Sequence, residues 1–177
     1  MKKLIRLLFG VVVLFAISSC TDNKRARNYN NNTVVDEGGS VFIIQGLEAG
    51  LAEIKAAKVA EVNSKNPRII SFAKMMIADH TQTGDELEKI GINKGITEGD
   101  TINTEHQKLI DNISTKKGVD FDKAYIQMMV TDYESVITLF ARAAGNKSAD
   151  IQNFAKKTLP ALKTHLDSAN AICESLK

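Results

Sequence analysis

Residues 66–80 read Asn66-Pro67-Arg68-Ile69-Ile70-Ser71-Phe72-Ala73-Lys74-Met75-Met76-Ile77-Ala78-Asp79-His80. The first pair is a helix start. Asparagine can cap with its side-chain oxygen, and proline fits the first turn, where its missing N–H is not needed. Beyond it Phe72, Ala73, Met76, His80 and Leu87 share one stripe at helical spacing. The pattern predicts a helix reaching about Lys94, with Gly95 as its stop. A helix that long and apolar along one face must pack against others.

The flanking sequence supplies those partners. Upstream, Ile43, Ile44, Leu47, Leu51, Ile54 and Ala57 predict a first helix from about Ser40 to Ser64. Downstream, residues 96–118 break the rhythm, and Thr104-Glu105-His106-Gln107 reads as a capping box for a short helix over Glu105 to Lys116. Asp120 should cap a third long helix through Ala124, Met128, Asp132, Val136 and Phe140, ending near Gly145. Ser148 should cap a fourth, with Ile151, Phe154, Leu162, His165 and Ala169 inward and Pro160 bending it. No run of alternating β-branched residues between turn dipeptides competes. The long helices are linked short, long, short. That predicts an all-α, up-down, ferritin-like four-helix bundle: two antiparallel hairpins, with a short extra helix in the central connection. Phe72-Ala73-Lys74 before His80 and Phe154-Ala155-Lys156 before His165 form a faint echo between hairpins.

The start of the chain reads differently. Lys2, Lys3 and Arg6 precede an apolar run from Leu7 to Ile17, and Ile17-Ser18-Ser19-Cys20 follows. The run is short for a membrane span, and small residues end it. It resembles a lipoprotein signal, so residues 1–19 are expected to be removed and Cys20 lipidated, anchoring the protein to a membrane of the bacterial cell envelope. Residues 20–39, polar and asparagine-rich, are expected to be a tether, and 40–177 the folded bundle. Of 23 basic and 21 acidic side chains, three basic ones lie in residues 1–19, so the remaining chain is near neutral. No basic stripe with interleaved aromatics points to nucleic acid. With Cys20 lipidated, Cys173 is the sole remaining thiol, on an apolar-periodic stretch where a buried, inert role is expected.

Several separated stretches resemble one family. They are Leu51-Ala52-Glu53, the Asn66 to His80 segment, Phe121-Asp122-Lys123-Ala124-Tyr125, Thr158-Leu159-Pro160 and His165. Together they resemble the DUF4142 family, a bacterial ferritin-like domain of unknown function common in exported and lipid-anchored envelope proteins. The resemblance spans about Ser40 to Leu176 and implies the four-helix bundle. It implies no established reaction. Members usually carry Asp-His midway along the third long helix, where this chain has Asp132-Tyr133.

Glu53, Asp79, His80, Asp132, Tyr133 and His165 all fall mid-helix, at depths an up-down bundle brings level. Glu53, His80, Asp132 and His165 are nitrogen and oxygen donors suited to a transition metal ion. The other reading has them, with Asp79 and Tyr133, as a polar core network and no cofactor, since buried charges need partners. Two features favour the network. Di-iron bundles use Glu-x-x-His pairs, and here Ile77 and Leu162 stand three residues before the histidines. Tyrosine binds metal well only after losing a proton with pKa near 10. His106 is expected to be exposed, and Met75-Met76 and Met128-Met129 to be core filler rather than copper ligands. There is no phosphate loop, nucleophile elbow or Cys-x-x-Cys. The expected role is thus a non-catalytic envelope bundle, with a metal-binding or redox bundle as the alternative.

Overall fold

The computed structural model describes residues 35–177, so residues 1–19, Cys20 and most of the expected tether lie outside the described residues. Five helices follow in order: α1 Glu37–Asn63, α2 Pro67–Asn93, α3 Thr104–Ser114, α4 Gly118–Ala143 and α5 Ala149–Ser175. The four long ones, 26 or 27 residues each, are about 40 Å long at 1.5 Å per residue. α1 packs on α2 and α4 on α5. The two hairpins meet through α1 with α4 and α2 with α5, and α3 lies across α1 and α4. This is the ferritin-like bundle with an extra short helix. Among the described residues no helix is long and apolar enough to cross a membrane.

Helix starts follow local chemistry that the spacing alone misplaced. α1 begins at Glu37, not Ser40, because Asp36 Oδ1 accepts from Gly39 N–H at 2.7 Å. The pair Gly38-Gly39 therefore belongs to the helix rather than to a tether. A Cβ on Gly39 would come within 2.8 Å of Ile151 Cδ1, so glycine lets α1 and α5 approach closely here. α3 is capped by Asn103, whose Oδ1 accepts from His106 N–H at 2.8 Å, and not by Thr104. α4 starts at Gly118 without a side-chain cap, leaving Asp120 inside its first turn. Ser148 stands at the cap position of α5 but makes no cap bond, and α5 continues through Pro160.

The core is stacked in layers. At one end Phe42 meets Phe140 edge-on with centroids 4.9 Å apart, and Phe154 closes the group at 5.9 Å from Phe140. At the other end Tyr125 stacks on Phe121 at 5.9 Å and meets Phe72 at 6.4 Å. Each such ring contributes about 1.5–3 kcal/mol on burial. Between the two aromatic layers lies a polar one.

α1 keeps Ile43 and Ala57 inward as expected but turns its middle away from the expected orientation. Its core face is Phe42, Ala49, Ala52, Glu53, Ala56 and Ala60, whereas Leu47 and Ile54 are only half-buried and Leu51 is 36% exposed. Small residues bring α1 close to its neighbours, and the larger aliphatics turn toward a surface groove.

Candidate functional site

His80 on α2, Tyr133 on α4 and His165 on α5 meet at the bundle's mid-height, all buried. The imidazole centroids are 5.8 Å apart, and the Tyr133 hydroxyl bridges the rings. It lies 2.8 Å from His80 Nε2 and 3.0 Å from His165 Nδ1, with Met76 Sδ also at 2.8 Å. His165 Nε2 lies 3.0 Å from Asp79 Oδ2, on a side chain that is 48% exposed. One proton assignment satisfies this row. His165 Nε2–H donates to Asp79, Tyr133 O–H donates to His165 Nδ1, and His80 Nε2–H donates to the Tyr133 oxygen. The assignment follows from the requirements of the groups. It leaves His80 Nδ1 as a bare lone pair.

A second group of titratable side chains sits toward α1 and α3. Glu53 is 1% exposed. Its Oε2 lies 3.0 Å from His80 Nδ1, which carries no proton in that assignment, and neither Glu53 oxygen accepts a hydrogen bond. Asp132 Oδ2 and the Tyr125 hydroxyl are likewise buried without a hydrogen bond. His106 reaches in from α3. Its Nδ1 is 2.7 Å from Glu48 Oε1, a hydrogen bond, and its Nε2 is 3.8 Å from Asp132 Oδ1, close enough to act as a charge only. Asn103 N–H donates to the same Glu48 oxygen at 2.8 Å, tying the start of α3 to α1.

The two groups titrate in opposite senses. Burial, and then the nearby His165, pull His80 down to about 3, so it is neutral at any ordinary pH. Asp132, and then Glu48, hold His106 up at about 9 against its burial. Burial, reinforced by the charge of Asp132, pushes the Glu53 carboxyl well above the usual range. Burial also raises the Tyr133 and Tyr125 hydroxyls, so both stay protonated.

The structure thus brings together His80, Tyr133, His165 and Asp79, with Glu53 beside them. It does not join Asp132 to either core histidine; Asp132 faces His106. His106, expected to be exposed, is half-buried with a side chain 19% exposed. The loop after α2 folds back and lays α3 against α1, which periodicity could not show. A signal was available in the need of Glu48 and Asp132 for a basic partner. Met76 does more than fill space, since its sulfur touches the Tyr133 hydroxyl, and Cys173 is half-buried rather than buried.

Among the described residues no three His, Cys, Asp or Glu side chains converge as a metal-ion group. His165 Nδ1 accepts from Tyr133, and His80 Nε2 carries the proton given to Tyr133. The lone pair of His165 is therefore not free, that of His80 Nδ1 faces Glu53 alone, and the Glu-x-x-His pairs of a ferritin-type centre are absent. The residues present do not fit a resident metal of that kind.

Comparisons with known proteins agree with the fold. The family described as "Domain of unknown function (DUF4142)" matches residues 25–172. A crystal structure of a DUF305 fragment from Deinococcus radiodurans is similar at 11% sequence identity with a TM-score of 0.72, covering 80% of this chain and 99% of that one. At that identity the likeness speaks for the fold alone. No curated relative matches the chain.

Proposed function

The chain belongs to the DUF4142 family, and from that premise we propose that it is a lipid-anchored protein of the bacterial cell envelope whose bundle is not an enzyme. In this reading the layer of His80, Tyr133, His165 and Asp79 is internal bracing that sets the register of three helices, α2, α4 and α5. The observation that carries it is the Tyr133 hydroxyl held between two imidazoles at 2.8 and 3.0 Å. Three ring nitrogens are satisfied by protein groups, which suits a fixed core better than an open site for chemistry. The anchor reading rests on the sequence: the basic start, the apolar run and Ile17-Ser18-Ser19-Cys20. The membrane is then the partner, reached through the acyl chains on Cys20, with no nucleic-acid partner.

The rival is a metal-binding or redox bundle using Glu53, His80, Asp132 and His165. One experiment separates the two. Wild type and His165→Ala are purified without chelator, analysed for metals and melted with and without chelator. Bracing predicts no stoichiometric metal and a drop in melting temperature that chelator does not change. About one or two tightly held ions per chain, lost in the mutant, would establish the rival. The anchor is tested separately by Cys20→Ala, which should leave an uncleaved or soluble form. Unchanged maturation and membrane fractionation would remove it.

A further inference from the structure

Glu53 lies beside the hydrogen-bonded row, its Oε2 3.0 Å from His80 Nδ1. It is 1% exposed and both its oxygens lack hydrogen bonds. Native proteins rarely bury such a group without a partner. A cavity of about 20 Å³ adjoins it, lined also by His80, Gly46, Gly50 and Gly84. That is room for one water-sized group.

This cavity abuts a larger surface groove between α1 and α2, with a volume of about 530 Å³. Gly50, His80 and Gly84 line both. A Cβ on Gly84 would have nothing within 4 Å, and one on Gly50 would meet only His80 Nδ1, at 3.9 Å. The two glycines form a doorway without side chains. Outside it the groove is floored by Leu47, Leu51, Ile54, Ile92 and Ile96. Its charged lining residues are Asp85, Glu88, Glu98 and Asp100 against Lys58 alone. The volume falls within the range of small-molecule sites.

We propose that this groove binds a linear alkylammonium ion, its chain on Leu47, Leu51 and Ile54 and its head passing between Gly50 and Gly84 to the Glu53 carboxylate. Each part of the site selects for that chemistry. The acidic lip attracts a cation and repels carboxylates and phosphates. The aliphatic floor favours an unbranched apolar body. The cavity admits a group the size of –NH₃⁺, whose three N–H donors match the Glu53 oxygens and the bare His80 Nδ1 lone pair. A zinc ion would find two donors there, Glu53 and His80, below the three or four it takes from a protein site.

The inference goes beyond the bracing role and does not depend on the anchor or on the metal question. Occupancy ionises Glu53, which faces Glu48, Asp132, His106, His80, Tyr125 and Tyr133 and is otherwise protonated, so binding releases a proton. Hexylammonium is titrated calorimetrically into the folded bundle in buffers of different ionisation enthalpy. Hexanoate and Zn²⁺ serve as parallel probes. The expected result is saturable one-to-one binding of hexylammonium with a buffer-dependent heat, and none of hexanoate. Glu53→Gln and Gly84→Leu should each weaken it tenfold or more. Gly84→Leu plugs the doorway where space is open, so it keeps the test valid if Glu53→Gln folds poorly. Absence of saturable binding, unchanged affinity in both variants, or displacement of the amine by stoichiometric Zn²⁺ would each overturn the proposal.

Discussion

Two halves of one polar layer behave differently. On the side of α2, α4 and α5, His80, Tyr133, His165 and Asp79 pass hydrogen bonds along a row that ends at solvent. On the side of α1 and α3, neither Glu53 nor Asp132 Oδ2 accepts a hydrogen bond, and His106 stands 3.8 Å from the other Asp132 oxygen. The first half is polar and closed, so it holds helices in place at little cost. The second half is polar and less fully paired, so burying it costs stability. Burial alone does not separate them, since Tyr133 and Glu53 are both almost wholly buried. Partnership does.

The strongest way to break the contrast is Tyr133→Phe. It removes one oxygen and leaves a nitrogen of each buried imidazole without a partner. The expected loss is about 1–3 kcal/mol for each nitrogen, read as a lower urea midpoint with an unchanged slope. A loss below about 0.5 kcal/mol would mean the row is not bracing.

Glu53→Met sharpens the contrast from the other side. It replaces an unsatisfied carboxyl with an apolar group of similar reach. Stability is expected to rise by about 1–2 kcal/mol or to hold, whereas breaking a satisfied pair destabilises. A large fall would show that Glu53 is paired after all.

The smallest effect lies in pH. His80 is held at about 3, below its ordinary 6.5, so its share of stability is full above about 6.5 and is lost as pH falls toward 3. His106 is held at about 9, so its share is full below about 6.5 and is lost as pH rises through 9. Glu53, raised and therefore protonated in the folded chain, also costs stability as pH rises above the carboxylate range. Urea unfolding across pH 6.5 to 9.5 in a Glu53→Met background isolates His106. Adding His106→Gln should flatten the remaining slope, and an unaltered slope would detach His106 from Asp132 and Glu48.

Most of the fold was legible because long helices repeat one signal many times. Asn66-Pro67, the stripe through Phe72, Met76, His80 and Leu87, and the short-long-short links settle the bundle without reference to any single contact. The histidines at its centre were legible for the same reason, since a stripe position fixes which way a side chain points. What failed were features set by neighbours distant in sequence. His106 is half-buried because Asn103 and Glu48 dock α3 onto α1. α1 buries Ile43 and Ala57 as expected, but elsewhere it turns alanines inward and Leu47 and Leu51 outward because small residues allow close approach, which a count of apolar positions does not show. The isolation of Glu53 was invisible too, since spacing places a carboxylate in a core but cannot say whether anything meets it.

The topology has a consequence for time rather than for energy. α1 with α2, and α4 with α5, are neighbours in sequence, so each hairpin can close on itself quickly. The hydrogen bonds around Tyr133 join α2 to α4 and α5 across separations of 53 and 32 residues. The Tyr133–His165 bond lies inside the second hairpin, but the His80–Tyr133 bond can form only when one finished hairpin meets the other. Tyr133→Phe removes one bond of each kind, so it should slow refolding in part and speed unfolding in part, giving a fractional φ-value. Its bond to His80 would then act as a latch that closes last and sets how long the folded molecule lasts.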